Sequence, residues 1–225
     1  YNGLEVGRKY SVTGTLVDKA TGKEILDDAG NKITASNEFT AEKPNGTIEI
    51  TFKFSGVSLA GKTTVAFEHM YTDGKEVAVH ADLKDEKQTQ YLPSVHTTAT
   101  SNDTQDHVTG SNEKVTITDL VSMKALKIGT EYTVSGTLMN AATGKPVLVD
   151  GKTITSRRTF TADSHDMTVS LTYTLNASEL AGTTTVVFEN LYSDGALIAT
   201  HADLEDDEQT VYIPEIHTTA KDQTT

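Results

Sequence analysis

Apolar and polar residues alternate along much of this chain. "YTVSGTL", "MTVSLTYTL", "TTTVVFENLY" and "ALIATHADL" interleave Val, Leu, Tyr and Phe with Thr and Ser. β-Branched and aromatic residues in that rhythm suit a pleated surface with one face buried. Asp73-Gly74, Asp150-Gly151 and Asp194-Gly195 fall between such runs and predict tight hairpins. Only "SLAG" and "NASELAG" suggest a short helical turn.

The pattern is written twice. "KYSVTGTLVDKATGK" (9–23) matches "EYTVSGTLMNAATGK" (131–145), and "LAGKTTVAFEHMYTDG" (59–74) matches "LAGTTTVVFENLYSDG" (180–195). Glu68 and Glu189, His80 and His201, and Gln88 and Gln209 all stand 121 residues apart (189 − 68, 201 − 80, 209 − 88). That period is the size of a domain and too long for a solenoid repeat. Seven or so strands in about 120 residues predict an immunoglobulin-like sandwich. The expected fold class is all-β, with tandem immunoglobulin-like β-sandwich domains.

Tyr1 aligns with Met123, so residues 1–93 read as a copy lacking its first strand. Residues 94–214 read as a complete copy, and 215–225 ("EIHTTAKDQTT") as the first strand of a following one.

Some polar residues break the apolar rhythm. Glu189 has Val187 and Leu191 on its own strand face and Val186 and Phe188 on the other. A carboxylate buried there is costly unless protonated or hydrogen-bonded. Glu68 repeats the situation in the first copy. The alternative is a Glu at a sheet edge with its carboxylate in water. His201 follows on the next strand, Asp206 five residues later, and Gln209 shares a face with Val211 and Ile213. In "VHTTA" the two-residue period puts Thr97 inward with Val95 and Ala99, and His96 and Thr98 outward.

Composition narrows the chemistry. The formal charge is −13 and there is no Cys. The acidity argues against nucleic acid or an anionic membrane as partner. Without thiols there are no disulfides and no thiolate metal sites. No run is long and apolar enough to insert in a membrane. No cofactor and no metal are expected.

A Thr, a His, an Asp and a Glu around a Gln form an acyl-transfer set in which the acyl group belongs to the protein. The hydroxyl would attack the Gln carbonyl and expel ammonia, leaving an ester. His201 is the expected base. Glu189 and Asp206 are the expected carboxyls sharing one proton. A dry interior would protect the product from water.

Together, "VVFEN", "HADLEDDEQT", "HTTA" and "YTVSGTLMNAATGK" resemble the Thr–Gln ester-bond domains, or VaFE repeats, of Gram-positive surface adhesins. The resemblance implies Ig-like stalk modules in which a first-strand Thr and a last-strand Gln join autocatalytically. It implies Thr97 as nucleophile and Gln209 as acceptor, with His201, Glu189 and Asp206 around them. In the first copy the matching positions are Gln88, His80, Glu68 and Asp85. Thr218 matches the nucleophile of a following domain, and could react with Gln88 of another copy, head to tail. A single self-cross-linking reaction is expected, not an enzyme with turnover. The implied setting is extracellular, on a wall-anchored surface protein, with neighbouring domains of the same protein as partners and an unidentified host ligand. The alternatives are an Ig-like ligand-binding domain without a cross-link, or one with a Lys–Asn isopeptide link.

Overall fold

The computed structural model of the chain describes residues 1–221 and divides it into two compact units, 1–92 and 93–225. Each is built almost wholly of antiparallel strands.

In the first unit the strands are β1 (Lys9–Asp18), β2 (Thr34–Thr40), β3 (Lys62–Thr72), β4 (Lys75–His80) and β5 (Thr89–Leu92). They form one sheet in the order β2-β1-β3-β4, with β5 also pairing with β3. Leu16, Ile25, Ile33 and Leu59 make its small core, with Phe52, Ala66 and Leu92 packed against them.

The second unit carries β6 (Ser94–Ser101), β7 (Val115–Lys124), β8 (Glu131–Asn140), β9 (Lys145–Pro146), β10 (Leu148–Val149) and β11 (Lys152–Thr153). It continues with β12 (Thr155–Thr161), β13 (Met167–Leu175), β14 (Thr183–Ser193), β15 (Ala196–His201) and β16 (Thr210–Ile213). One sheet runs β12-β8-β14-β15, with β16 also on β14 and β9 on β8; the other runs β13-β7-β6. Their inner faces meet in one core that includes Ile117, Val121, Leu138, Leu171, Val187, Leu191 and Val211. This is the expected Ig-like sandwich, two antiparallel sheets closed face to face.

The local expectations have visible causes. Asp73-Gly74, Asp150-Gly151 and Asp194-Gly195 all have positive φ, as a tight hairpin with the strands' own twist requires. "NASELAG" contains a 3-10 turn at Ser178–Leu180, whereas "SLAG" stays a non-helical turn.

The first unit differs from the second in more than its first strand. Residues 47–55 match β13 in sequence but form no strand. β13 pairs with β7, and the first unit has no strand before β1 to take the place of β7. A strand with no neighbour has no ladder to join. Of the first strand expected at 215–225, the described part, 215–221, forms no strand here. Residues 222–225 of that expected strand lie outside the described residues.

In the second unit β14 sets up the site. β16 pairs with its first half, Thr183–Val186, and β15 with its second half, Glu189–Ser193. The connection from β15 to β16 therefore crosses the middle of β14 beside Glu189. That connection is the acidic phrase ending in Gln209.

Candidate ester-forming site

β6 is an edge strand of the three-stranded sheet, with Thr97 opposite Val121 and Ala99 opposite Asp119 on β7. Thr97 and Asp119 are thus diagonal neighbours on one face. That face alternates with solvent along the whole of β7: Val115, Ile117, Asp119, Val121 and Met123 are buried. From the other sheet Glu189 points into the same space between Val187 and Leu191. Gln209 ends a 3-10 turn, Asp207–Gln209, immediately before β16. Asp206 caps that turn by accepting from the Glu208 N–H at 2.8 Å, and its carbonyl accepts from Thr210 Oγ1 at 2.7 Å. The turn delivers the Gln209 side chain inward. Asp119, Glu189 and Gln209 are fully buried, and Thr97 is 1% exposed.

The four side chains touch. Gln209 Nε2 donates to Thr97 Oγ1 at 2.7 Å and to Glu189 Oε2 at 2.5 Å. Thr97 Oγ1 donates to Glu189 Oε2 at 3.3 Å. The two Asp119 oxygens and Glu189 Oε1 meet no amide or hydroxyl donor with good geometry among the described residues. What they meet is each other, with the Thr97 hydroxyl beside both. Two ionised carboxylates cannot face one another in a dry core, so the pair retains a proton. Burial raises both carboxyls, and for Glu189 the neighbouring Asp119 charge adds to it. At neutral pH the pair therefore holds one proton and one charge between its two members.

Above the pair lies a phenol. Tyr173 is 1% exposed, and its Oη has no partner among the described residues. Burial and then the Asp119 and Glu189 charges raise its pKa, which keeps it a neutral O–H. Gly136, the register partner of Glu189 on β8, gives it room: a Cβ there would lie 1.8 Å from Tyr173 Oη. The first copy pairs Gly14 with Phe52 in the same way, at 2.6 Å from the ring, without the hydroxyl.

The structure brings together Thr97, Gln209 and Glu189 as the sequence predicts, but corrects the carboxyl partner. Asp206 is not beside Glu189. Its Oδ2 faces His201 Nε2 at 3.1 Å, while its Oδ1 is used by the turn. The partner is Asp119, which the sequence reading missed. Its signal was the two-residue alternation of "VTITDLV", which puts an acid on the apolar face. His201 makes no hydrogen bond to Thr97. It faces Glu189 across the β14–β15 ladder, and its Nδ1 is buried without a partner. An Nε2–H directed at Asp206 leaves the lone pair on that buried Nδ1.

The first unit repeats the acceptor half. Gln88 Nε2 hydrogen-bonds Glu68, His80 Nε2 lies 3.1 Å from Asp85 Oδ2, and Asp85 Oδ1 accepts from Lys87 N. Burial raises the Glu68 pKa, against the hydrogen bond from Gln88. No residue of this sequence aligns with Thr97 or Asp119 in that copy (97 − 121 and 119 − 121 precede residue 1). Thr218, in the segment 214–221 that forms no strand, is exposed.

A family model of the T-Q ester bond containing domain matches residues 1–92 and 93–213. The chain belongs to this family. Gln88 and Gln209 stand at matching positions in the two T-Q units, and the second also carries the buried Thr97. No curated protein matches the T-Q chain. Solved structures of similar backbone include a Mobiluncus mulieris bacterial adhesin containing intramolecular disulfide, isopeptide and ester bond cross-links. It is 16% identical at TM-score 0.45, over 55% of this chain and 58% of that one. Others are a glycosyl hydrolase family 2 member from Bacteroides cellulosilyticus (11%, TM-score 0.38, 89% and 26%) and a Bacteroides uniformis β-glucuronidase (10%, TM-score 0.37, 86% and 23%). The T-Q chain spans less than two thirds of each of these. Among its described residues no helix is long and apolar enough to cross a membrane.

Proposed function

We propose that Thr97 and Gln209 join in an ester, formed once and without a cofactor, and that the closed unit serves as a stalk module of a bacterial surface adhesin outside the cell. One observation carries this reading: the Thr97 hydroxyl lies between the Gln209 carboxamide and a proton-sharing carboxyl pair, with water excluded.

The steps balance with the residues at hand. Turning the carboxamide about its last torsion exchanges Nε2 and Oε1, so that the protonated Glu189 donates to the carbonyl oxygen. That donor stabilises the oxyanion as it develops. The ionised Asp119 takes the Thr97 proton while Oγ1 bonds to the Gln209 carbonyl carbon. The C–N bond then breaks, the same proton passes to the nitrogen, and ammonia leaves. His201 orients the turn through Asp206. Because the site consumes its own acceptor, it reacts once and does not turn over.

The mechanical benefit follows from the topology. The ester would tie the edge strand β6 to the lead into β16 across both sheets. Tension entering at the first strand and leaving at the last would then pass through a covalent bond. In a chain without Cys this supplies the staple that disulfides give other exported domains. The family membership and the acidic surface support an extracellular, wall-attached setting. Neighbouring domains of the same protein would be its partners.

A second reading extends this to the first unit. Gln88, Glu68, His80 and Asp85 stand as their counterparts do, and "IHTTA" at 216–220 repeats "VHTTA" at 95–99. Thr218 of one copy would enter the open face of another copy's first unit and form an ester with Gln88. Adding a strand to an open edge is an established recognition mode.

Peptide mapping tests the main reading. A peptide holding Thr97 should be recovered joined to one holding Gln209, and the junction should vanish in Thr97→Val. Separate peptides from the wild-type chain would refute it. A denaturing gel tests the second: ladders lost in Thr218→Val support it, and monomer alone contradicts it.

A further inference from the structure

On the outer side of β6, next to the buried Thr97, His96 projects toward the β15–β16 connection. Its ring stacks on that of His201, centroids 5.3 Å apart at 30°. His96 Nε2 lies 3.0 Å from Glu208 Oε2, and His201 Nε2 lies 3.1 Å from Asp206 Oδ2. One ligand atom each from His96, His201 and Asp206 falls within 4.8 Å of the others. Two imidazoles and a carboxylate match the three protein ligands of a zinc site whose fourth position is open. The ligands come from two places far apart in sequence, 96 and 201–206, held by the fold. His201 and Asp206 are largely buried and so pre-positioned, while His96, with Glu208 beside it, is exposed and free to adjust.

We infer that His96, His201 and Asp206 form a binding site for a divalent transition metal of the zinc class, with Glu208 next to His96 at its rim. The ligand set excludes a hard-ion preference, because Mg²⁺ and Ca²⁺ favour oxygen donors alone. Nothing in the sequence shows that β6 runs beside this turn.

The site has a structural consequence. His96 sits on β6 and Asp206 on the lead into β16, the two elements that Thr97 and Gln209 would join, with His201 at the end of β15 between them. A bound metal is therefore a reversible clip on the outer face that holds the edge strand in register before any covalent link exists. The first unit supplies a natural comparison: His80 and Asp85 repeat His201 and Asp206, but no described residue there stands in for His96.

The test uses the full chain carrying Thr97→Val, so that no ester at this site masks the effect and the inference does not depend on the ester reading. Zinc chloride is titrated calorimetrically, and melting is followed with zinc and again after a chelator. We expect one principal site per chain, and a rise in melting temperature that the chelator reverses. In His96→Ala the affinity should fall by about tenfold or more, as loss of one of three protein ligands requires. Glu208→Ala should weaken it less. Absence of zinc binding overturns the inference, and so does binding that His96→Ala leaves unchanged.

Discussion

Gln209 Nε2 lies 2.7 Å from Thr97 Oγ1 across 112 residues of chain. Neither sheet alone makes this contact. Thr97 arrives on the edge of one and Gln209 on the lead into the last strand of the other. The pair closes nearly the whole second unit into one loop, which makes it a suitable place for a permanent link.

Closing that loop restricts the unfolded chain. A loop of this length is worth about 4–5 kcal/mol in the chain-entropy model. Thr97→Val keeps the shape of the side chain but removes the nucleophile. Its second unit should unfold at markedly lower denaturant than the wild type. Equal midpoints would mean that no link forms.

Asp119, and not Asp206, should control the reaction. Asp119→Asn removes the carboxylate that accepts the Thr97 proton, and Glu189→Gln removes the proton donor to the carbonyl. Each should leave the unit folded and slow ester formation by at least about a hundredfold, the usual scale for such groups. Asp206→Asn acts only by way of the turn and His201, so it should slow the reaction less. The measurement is the time course of ammonia loss after refolding. An order reversed between Asp119→Asn and Asp206→Asn would contradict the assignment.

The shared proton gives a pH signature. Both carboxyls are raised in the folded state, so above the ordinary carboxylate range the native state binds more protons than the unfolded one. Stability of the uncross-linked Thr97→Val chain should then contain a component that falls as pH rises through and above that range. Asp119→Asn in the same background should flatten this component. Denaturation midpoints between acidic and neutral pH check it, and identical slopes in the two proteins would count against a proton-sharing pair.

Gly136 is required by its neighbour. Any Cβ would meet Tyr173 Oη at 1.8 Å and Leu171 Cδ1 at 2.9 Å. Gly136→Ala should destabilise the second unit by about 1–3 kcal/mol through overpacking. Pairing it with Tyr173→Phe should recover part of that loss, which thermal melting of both variants would measure.

Much of this was legible in the sequence because period-2 alternation directly encodes which strand face is buried. It identified Thr97, Glu189 and Gln209 as inward polar groups, and the Asp-Gly pairs as hairpins. The same rule applied to β7 would have found Asp119. The acid run near Gln209 offered nearer candidates, and proximity in sequence favoured Asp206. What alternation cannot encode is which strands are neighbours across the sandwich. The contact of Asp119 with Glu189, and that of His96 with His201, both arise from sheet-on-sheet packing. The unpaired segment 47–55 shows the opposite limit: its sequence is that of a strand, but a strand also needs a partner.

The most direct test of the central claim is the intact mass of the denatured chain beside that of Thr97→Val. The wild-type monomer should be lighter than its sequence by one ammonia, and Thr97→Val should have its full calculated mass. A wild-type monomer of full mass would contradict the Thr97–Gln209 ester.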